Sequence, residues 1–384
     1  MAQWNRVPLI DYIELIGGGT PKTTVPEYWN GNIPWLSVKD FNNDKRYVYS
    51  TEKHISQSGF ENSPTKMLHK DDIILSARGT VGEIAMIPFD MAFNQSCYGI
   101  RASRGIDKPF LYYLLKNCIS QLKRMTHGSV FDTITRDTFA NIEVDIPDAE
   151  TQKRISSVLA DIDNKIEVND AINDNLQQQA AALFSSLYDR TNTEVRFTDL
   201  IQILGGGTPK TGENTYWNGN IAFFTPKDVG TPYTLITEKT ITEEGLSHCN
   251  SRLYPVNTVF VTARGTVGKV GMSGVPMAMN QSCYALVGKE THQLLVYFYT
   301  LKVVDRLKHK ASGAVFDAIT TKDFESEQIM KLSDDDARAF LCIAEPMFQK
   351  VLNNCIENLR LSTLRDSLLP KLMSGEIDVS AVQL

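Results

Sequence analysis

The 384-residue sequence has no uninterrupted apolar run approaching the ~18 residues a membrane span requires. Met1-Ala2-Gln3-Trp4-Asn5-Arg6 likewise lacks the basic-then-apolar pattern that opens a secretory signal. A cytoplasmic protein without membrane association is expected. Six cysteines occur without a single Cys-x-x-Cys pair, and the six histidines show no metal-ligand spacing. The cysteines, two of which (Cys97 and Cys283) hold equivalent places in a repeat described below, read as reduced core residues. No metal and no cofactor is expected on this chain. A basic excess is missing too, since the net charge is −6. Residues 1–150 carry 16 basic and 18 acidic groups, 151–195 carry 4 and 7, 196–335 carry 14 and 14, and 336–384 carry 5 and 6. Near-neutral segments neither require nor exclude a polyanionic partner, so any phosphate contact has to be argued locally.

What the chain does contain is a long apolar seam. Ile155, Leu159, Ile162, Ile166, Asn169, Asn173, Leu176, Ala180, Leu183 and Leu187 alternate steps of four and three, one stripe along a helix. Pro147-Asp148 supplies a start signal with Asp148 as N-cap, and no Pro or Gly interrupts the interior. At 1.5 Å per residue, about 40 residues make a rod of roughly 60 Å. So narrow a seam calls for a partner helix. Adding 185 to the seam positions gives Ala344, Met347, Val351, Asn354, Asn358, Leu361, Arg365, Leu368 and Leu372, with Asn169 falling on Asn354 and Asn173 on Asn358. Buried Asn weakens such a seam but fixes its register. An intramolecular, antiparallel coiled-coil rod is expected; the alternative is that each helix caps its own globular domain.

The globular parts repeat as well. Gly17-Gly18-Gly19-Thr20-Pro21-Lys22 and Tyr28-Trp29-Asn30-Gly31-Asn32-Ile33 return as Gly205–Lys210 and Tyr216–Ile221, at +188. Ala77-Arg78-Gly79-Thr80-Val81-Gly82 and Asn94-Gln95-Ser96-Cys97-Tyr98 return at +186, and Val130-Phe131-Asp132 at +185. Short apolar stretches at Pro34–Val38, Ile73–Ala77, Gly82–Ile87 and Cys97–Ala102, separated by Gly, Pro and Asn, predict strands. Phe110, Leu111, Leu114, Leu115, Cys118, Ile119 and Leu122 predict a helix within 109–125. Each copy is therefore expected to be a mixed α+β domain. The order becomes domain 1–147, helix 148–190, domain 191–333, helix 334–376 and a tail 377–384, one unit duplicated with a pseudo-two-fold relation. Two similar faces on paired helices suit a linear, regular ligand, and B-DNA read at two half-sites is the obvious case.

The order of Gly-Gly-Thr-Pro-Lys, Ala-Arg-Gly-Thr-Val-Gly, Asn-Gln-Ser and Gly128-Ser129-Val130-Phe131, with the closing run Leu368-Leu369-Pro370-Lys371-Leu372-Met373-Ser374-Gly375-Glu376-Ile377, resembles the specificity subunit of type I restriction-modification systems. The resemblance spans essentially the whole chain. It implies two target recognition domains, each reading one half of a bipartite, asymmetric double-stranded DNA site, and spacer helices that dock DNA methyltransferase (modification) subunits. Those partners bring S-adenosylmethionine and methylate adenine, and a restriction/translocase subunit joins them. A non-catalytic DNA-recognition subunit follows, active in host defence. A stand-alone sequence-specific DNA-binding protein, a nuclease and a two-domain binder of another ligand are the alternatives.

Enzyme readings fare poorly against the same residues. The Gly17–Lys22 loop lacks the Gly-Lys-Ser/Thr ending of a phosphate loop and reads as a tight turn. Asp148 and Asp163-Asn164-Lys165 imitate a nuclease metal centre, yet on one helix 15 residues put them ~22 Å apart, too far to share a metal. Neither Asn-Pro-Pro-Tyr nor Asp-Pro-Pro-Tyr, expected of an adenine methylase, occurs. Residues identical in both copies cannot distinguish two half-sites, so Thr20, Lys22, Lys39, Arg78 and Thr80, with Thr208, Lys210, Lys227, Arg264 and Thr266, are candidates for sequence-blind phosphate contact. Asn94-Gln95 and Asn280-Gln281 suit either adenine or a turn. Base reading belongs where the copies differ: Lys45, Arg46 and Tyr47 against Tyr233 and Thr234, and His127 and Ser129 against Ser312 and Ala314. Loop drift is the alternative there. The polar face near Gln177-Gln178-Gln179 and Ala181-Ala182 is the candidate partner surface, with simple solvation as its alternative.

Overall fold

The computed structural model describes residues 4–126, 133–230, 232–310 and 318–380. Two helices dominate it, a central one at Ala149–Tyr188 and a C-terminal one at Asp334–Met373. Asp148 caps the first, its Oδ1 accepting the backbone N–H of Thr151 at 2.9 Å. Ser333 caps the second by accepting the N–H of Asp336 at 3.1 Å, and Asp334, Asp335 and Asp336 complement the positive end of the helix dipole. Gly375, at φ 72°, follows its last turn in the left-handed conformation that stops a helix. Chain contacts separate into two units, Met1–Glu167 with Arg360–Leu384, and Val168–Leu359. Each unit therefore holds one globular domain and a piece of both long helices.

In the first unit, strands Ile13–Gly17, Cys97–Ala102, Ile73–Ser76 and Ile84–Met86 form an antiparallel sheet in that order. A second sheet orders Lys53–Ile55, Trp29–Leu36, Met91–Phe93 and Met67–Leu68, with a parallel pair at its centre. The helix Lys108–Thr126 buries Phe110, Leu111, Leu114, Leu115, Cys118 and Leu122, the stripe that its sequence periodicity predicts. The same core takes in Ile155 and Leu159 of the central helix with Leu369, Leu372 and Met373 of the C-terminal helix. A short ribbon pairs Asn5–Pro8 with Glu143–Ile146 where the domain chain enters and leaves.

The second unit repeats this plan. Ile201–Gly205, Cys283–Gly288, Val259–Thr262, Val270–Ser273 and Tyr233–Thr234 form one sheet, and Lys239–Ile241, Trp217–Phe224 and Met277–Met279 the other. Glu194–Arg196 pairs with Gln328–Met330 as the entry ribbon. The helix Gln293–Lys310 and the helix pieces close a core rich in aromatic residues, where Phe298 lies 5.0 Å from Phe184 and 5.5 Å from Phe348 between ring centroids.

Within each unit the long helices run antiparallel. In the second, Asn169 Nδ2 donates to Asn358 Oδ1 and Asn354 Nδ2 donates to Asn173 Oδ1, both at 2.8 Å. In the first, Arg365 Nη1 lies 2.9 Å from Asp163 Oδ1. Of the seam, Ile155, Leu159, Asn169, Asn173, Val351, Asn354 and Leu372 are buried, while Ile162, Ile166, Leu176, Leu183, Met347, Asn358, Leu361 and Leu368 are half-buried. Asp163, Phe184 and Phe348 are buried beside that stripe, where the globular domain also packs on the helices.

Candidate nucleic-acid interface

Three of the duplicated motifs converge on one loop cluster in each domain. Gly18 lies so close to the Asn94 backbone that a Cβ there would sit 2.1 Å from the Asn94 carbonyl oxygen, and Gly206 has the same relation to Asn280 at 2.3 Å. Only glycine allows that approach. The N–H of Gly19 donates to Phe93 O at 2.9 Å, and that of Gly207 to Met279 O at 3.1 Å. The third motif joins from the other side: Ala77 and Arg78 donate to Ser96 O at 2.8 and 3.2 Å, as Ala263 and Arg264 do to Ser282 O. The loop is steadied further by Trp29 Nε1 donating to Lys22 O at 3.3 Å, with Trp217 and Lys210 repeating the bond at 3.1 Å.

The amides in the middle take different roles. Asn94 Oδ1 accepts from Ser96 N at 3.1 Å and Asn280 Oδ1 from Ser282 N at 3.0 Å, which makes these asparagines turn residues. Gln95 and Gln281 are exposed, and each receives a hydrogen bond on its Oε1 from the hydroxyl of Thr20 or Thr208. The exposed Nε2 of each offers two N–H donors. The bond from the Thr hydroxyl holds each amide in place with its Nε2 donors outward, an arrangement that phosphate can accept.

Lys22, Arg78 and Thr80 are exposed around the first cluster, and Thr208, Lys210, Arg264 and Thr266 around the second. Thr20 is half-buried and bonded to Gln95. Below them, burial pushes the Cys97 and Cys283 thiols up to about 12, which keeps them protonated and inert. Lys39 is exposed on a short helical turn, and Lys227 is exposed 3.6 Å from Glu238. Lys53 over the Trp29 ring at 5.6 Å and Lys239 over Trp217 at 5.7 Å form a further shared cationic pair. Sequence reasoning passed over these two, although their recurrence at +186 was the signal.

The divergent segment behaves differently. Arg46 turns inward: its side chain is 9 % exposed, with Nε 3.1 Å from Glu167 Oε1, an Nη2 bond to Asn164 and the guanidinium 4.9 Å from the Tyr47 ring. Tyr47 is half-buried and bridges to Met86. Tyr233 is buried, its hydroxyl donating to Asn257 Oδ1 at 3.0 Å and its ring 6.5 Å from Phe348. Arg46 and Tyr233 therefore leave the base-reading set, because both hold a globular domain against the long helices. Lys45 stays exposed, its backbone N–H donating to Asn43 Oδ1 at 3.1 Å. Ser129, with His127, Ser312 and Ala314, lies outside the described residues. Asp163 is no metal ligand in waiting, since Arg365 and Tyr113 occupy both its oxygens at 2.9 and 2.7 Å.

Two copies of an α+β domain, each presenting the same donor-rich loop cluster and carried on antiparallel helices, define a duplicated recognition scaffold. The chain belongs to the type I restriction modification DNA specificity domain family, whose sequence model matches residues 1–178 and 190–331. It is 25 % identical to the MjaIX type I restriction enzyme specificity subunit of Methanocaldococcus jannaschii, over 98 % of this chain and 94 % of that protein. The HindI specificity subunit of Haemophilus influenzae is 24 % identical over 70 % of this chain and 77 % of its own. In fold, the crystal structure of a type I S subunit from M. genitalium matches with a TM-score of 0.58, 15 % identity and coverage of 97 % and 96 % of the two chains. No helix among the described residues is long and apolar enough to cross a membrane.

Proposed function

We propose that each globular domain reads one half of a bipartite, asymmetric double-stranded DNA site, and that the chain acts as the non-catalytic specificity subunit of a cytoplasmic type I complex. The observation that carries this is the convergence of the duplicated motifs, which gives each domain the same exposed donors: Lys22, Arg78, Thr80 and Gln95, repeated as Lys210, Arg264, Thr266 and Gln281. Donors shared by two domains suit contact with a backbone that is the same at both half-sites. Lys39 and Lys227 extend this set. Specificity then belongs to the unshared positions, Lys45 and Ser129 among them. Methyltransferase subunits carrying S-adenosylmethionine, and a restriction/translocase subunit, are the expected partners, docked on the long helices.

Co-expression with the neighbouring candidate modification subunit and genome-wide mapping of adenine methylation tests this. Methylation confined to one split motif, two different short halves with a fixed gap, is the expected result. A stable complex that adds no methylation would overturn the proposed partnership in modification. Absence of any complex, with tight DNA binding by the chain alone, favours a stand-alone sequence-specific DNA-binding protein.

A further inference from the structure

The duplication creates an assembly problem. Along most of the seam, the part of the central helix in the second unit carries the same kinds of residue as its +185 counterpart in the first: Leu183 matches Leu368, Phe184 matches Leu369 and Leu187 matches Leu372. Asn169 and Asn173 match Asn354 and Asn358, so the amide pairs are also self-complementary. A central helix could thus pair antiparallel with the central helix of a second copy of the chain, in the same register, keeping the amide pairs and losing only the bond of Asn169 to Glu357, whose counterpart is Ile172.

A buried charged cluster makes the larger break in the equivalence. In the first unit Arg365, with 4 % of its side chain exposed, is bound by Asp163 at 2.9 Å, Asp366 at 2.9 Å and Asp44 at 2.8 Å. Tyr113 donates to the other oxygen of Asp163 at 2.7 Å. The counterparts in the second unit are Ala180 for Arg365, Phe348 for Asp163 and Phe298 for Tyr113, an apolar contact. A central helix paired with its own copy would set Asp163 opposite Ala180 and bury a carboxylate without its cation. A C-terminal helix paired with its own copy would set Arg365 against Phe348, a buried guanidinium without an anion. Either is strongly disfavoured, whereas the chain's own pairing satisfies both groups.

We propose that the Asp163–Arg365 pair is a key that confines each long helix to the unlike long helix and excludes dimers in which like helices of two copies pair. The key works through what it penalises, so an apolar replacement is expected to fold well and pair indiscriminately.

The test uses the full-length chain, unfolded in urea and refolded over a range of protein concentrations, with mass read by light scattering. The wild type is expected to return as monomer. The triple variant Tyr113→Phe/Asp163→Phe/Arg365→Ala, which copies the second unit's residues into the first, is expected to refold with about tenfold or more dimer at equal concentration, the fraction rising with concentration. A refolded variant as monomeric as the wild type overturns the proposal. Should that variant fail to refold, Asp163→Leu/Arg365→Met keeps the side-chain volumes closer and is read in the same way. A wild type that refolds with as large a dimer fraction as the variant also overturns it.

Discussion

Asn354 donates to Asn173 across the helix pair at 2.8 Å, and the bond crosses the internal repeat, because the +185 counterpart of Asn173 is Asn358, which instead accepts from Asn169. Two helices related by a two-fold axis make this exchange of partners, residue i meeting j and j meeting i. An amide buried in an otherwise apolar seam fixes register because any slip leaves it unpaired. Asn354 is 1 % exposed, so the cost of an unpaired partner is felt in full.

Asn354→Leu alone is therefore expected to lose about 1–3 kcal/mol by stranding Asn173, while Asn173→Leu/Asn354→Leu recovers most of that loss or exceeds the wild type. Urea unfolding of the three proteins measures the difference. A single variant as stable as the wild type would show that the amide pair adds nothing.

Arg365→Ala removes the only cation contacting Asp163 among the described residues and leaves that carboxylate buried against Tyr113. A loss of about 3–5 kcal/mol is expected, the usual penalty for breaking a buried pair from one side. Thermal unfolding checks it, and the same substitution in the presence of Asp163→Leu should cost clearly less.

Asp44 links this cluster to solvent. Burial alone would raise its carboxyl, but Lys116 at 2.7 Å and Arg365 at 2.8 Å outweigh it and hold the group below the usual aspartate value. A lowered folded value means a contribution fully present above the unfolded value of about 3.9, and lost as the pH falls through the folded one. Wild-type stability should thus fall more steeply below about pH 4 than that of Asp44→Asn, a comparison made by urea unfolding from pH 6 downward.

Much of this was legible in the sequence, and the omissions have a physical cause. The duplication, both long helices and the Asp148 cap follow from patterns a few residues long. The pairing of Asp163 escaped because a seam read by apolar periodicity passes over a carboxylate, and its cation lies 202 residues away. Arg46 and Tyr233 looked like base readers because the copies diverge there, yet the divergence reflects two ways of fastening a domain to a helix, ionic at Glu167 and aromatic at Phe348. Strand order, too, depends on long-range pairing such as Trp35 beside Ala92, which no local pattern encodes.

The shared donors give a prediction about salt. If Arg78 and Arg264 contact phosphate, alanine at each should weaken binding similarly on every DNA sequence and reduce the slope of log K against log salt by about one. Gln95→Leu and Gln281→Leu should weaken binding equally uniformly but leave the slope unchanged, since an amide displaces no counterion. Fluorescence anisotropy over a potassium chloride series, with the assembled complex, separates the two. A loss confined to one base position would instead assign the residue to sequence reading.

Gly82 makes the sharpest claim about the loop that carries Arg78. Its φ of 88° lies in the left-handed region, and a Cβ there would stand 2.3 Å from Cε of Lys123. Gly268 repeats the arrangement at φ 75° with Lys308 at 2.6 Å. The backbone conformation alone costs of order 1–3 kcal/mol for a residue other than glycine. Gly82→Ala should lose about that much stability, measured by urea unfolding, and should disturb the loop that presents Arg78 and Thr80. Gly79, at φ 78° with no atom within 4 Å of the added Cβ, supplies the control. Gly79→Ala incurs the backbone strain without the clash, so a loss much larger for Gly82→Ala than for Gly79→Ala would show that Lys123 is held in place.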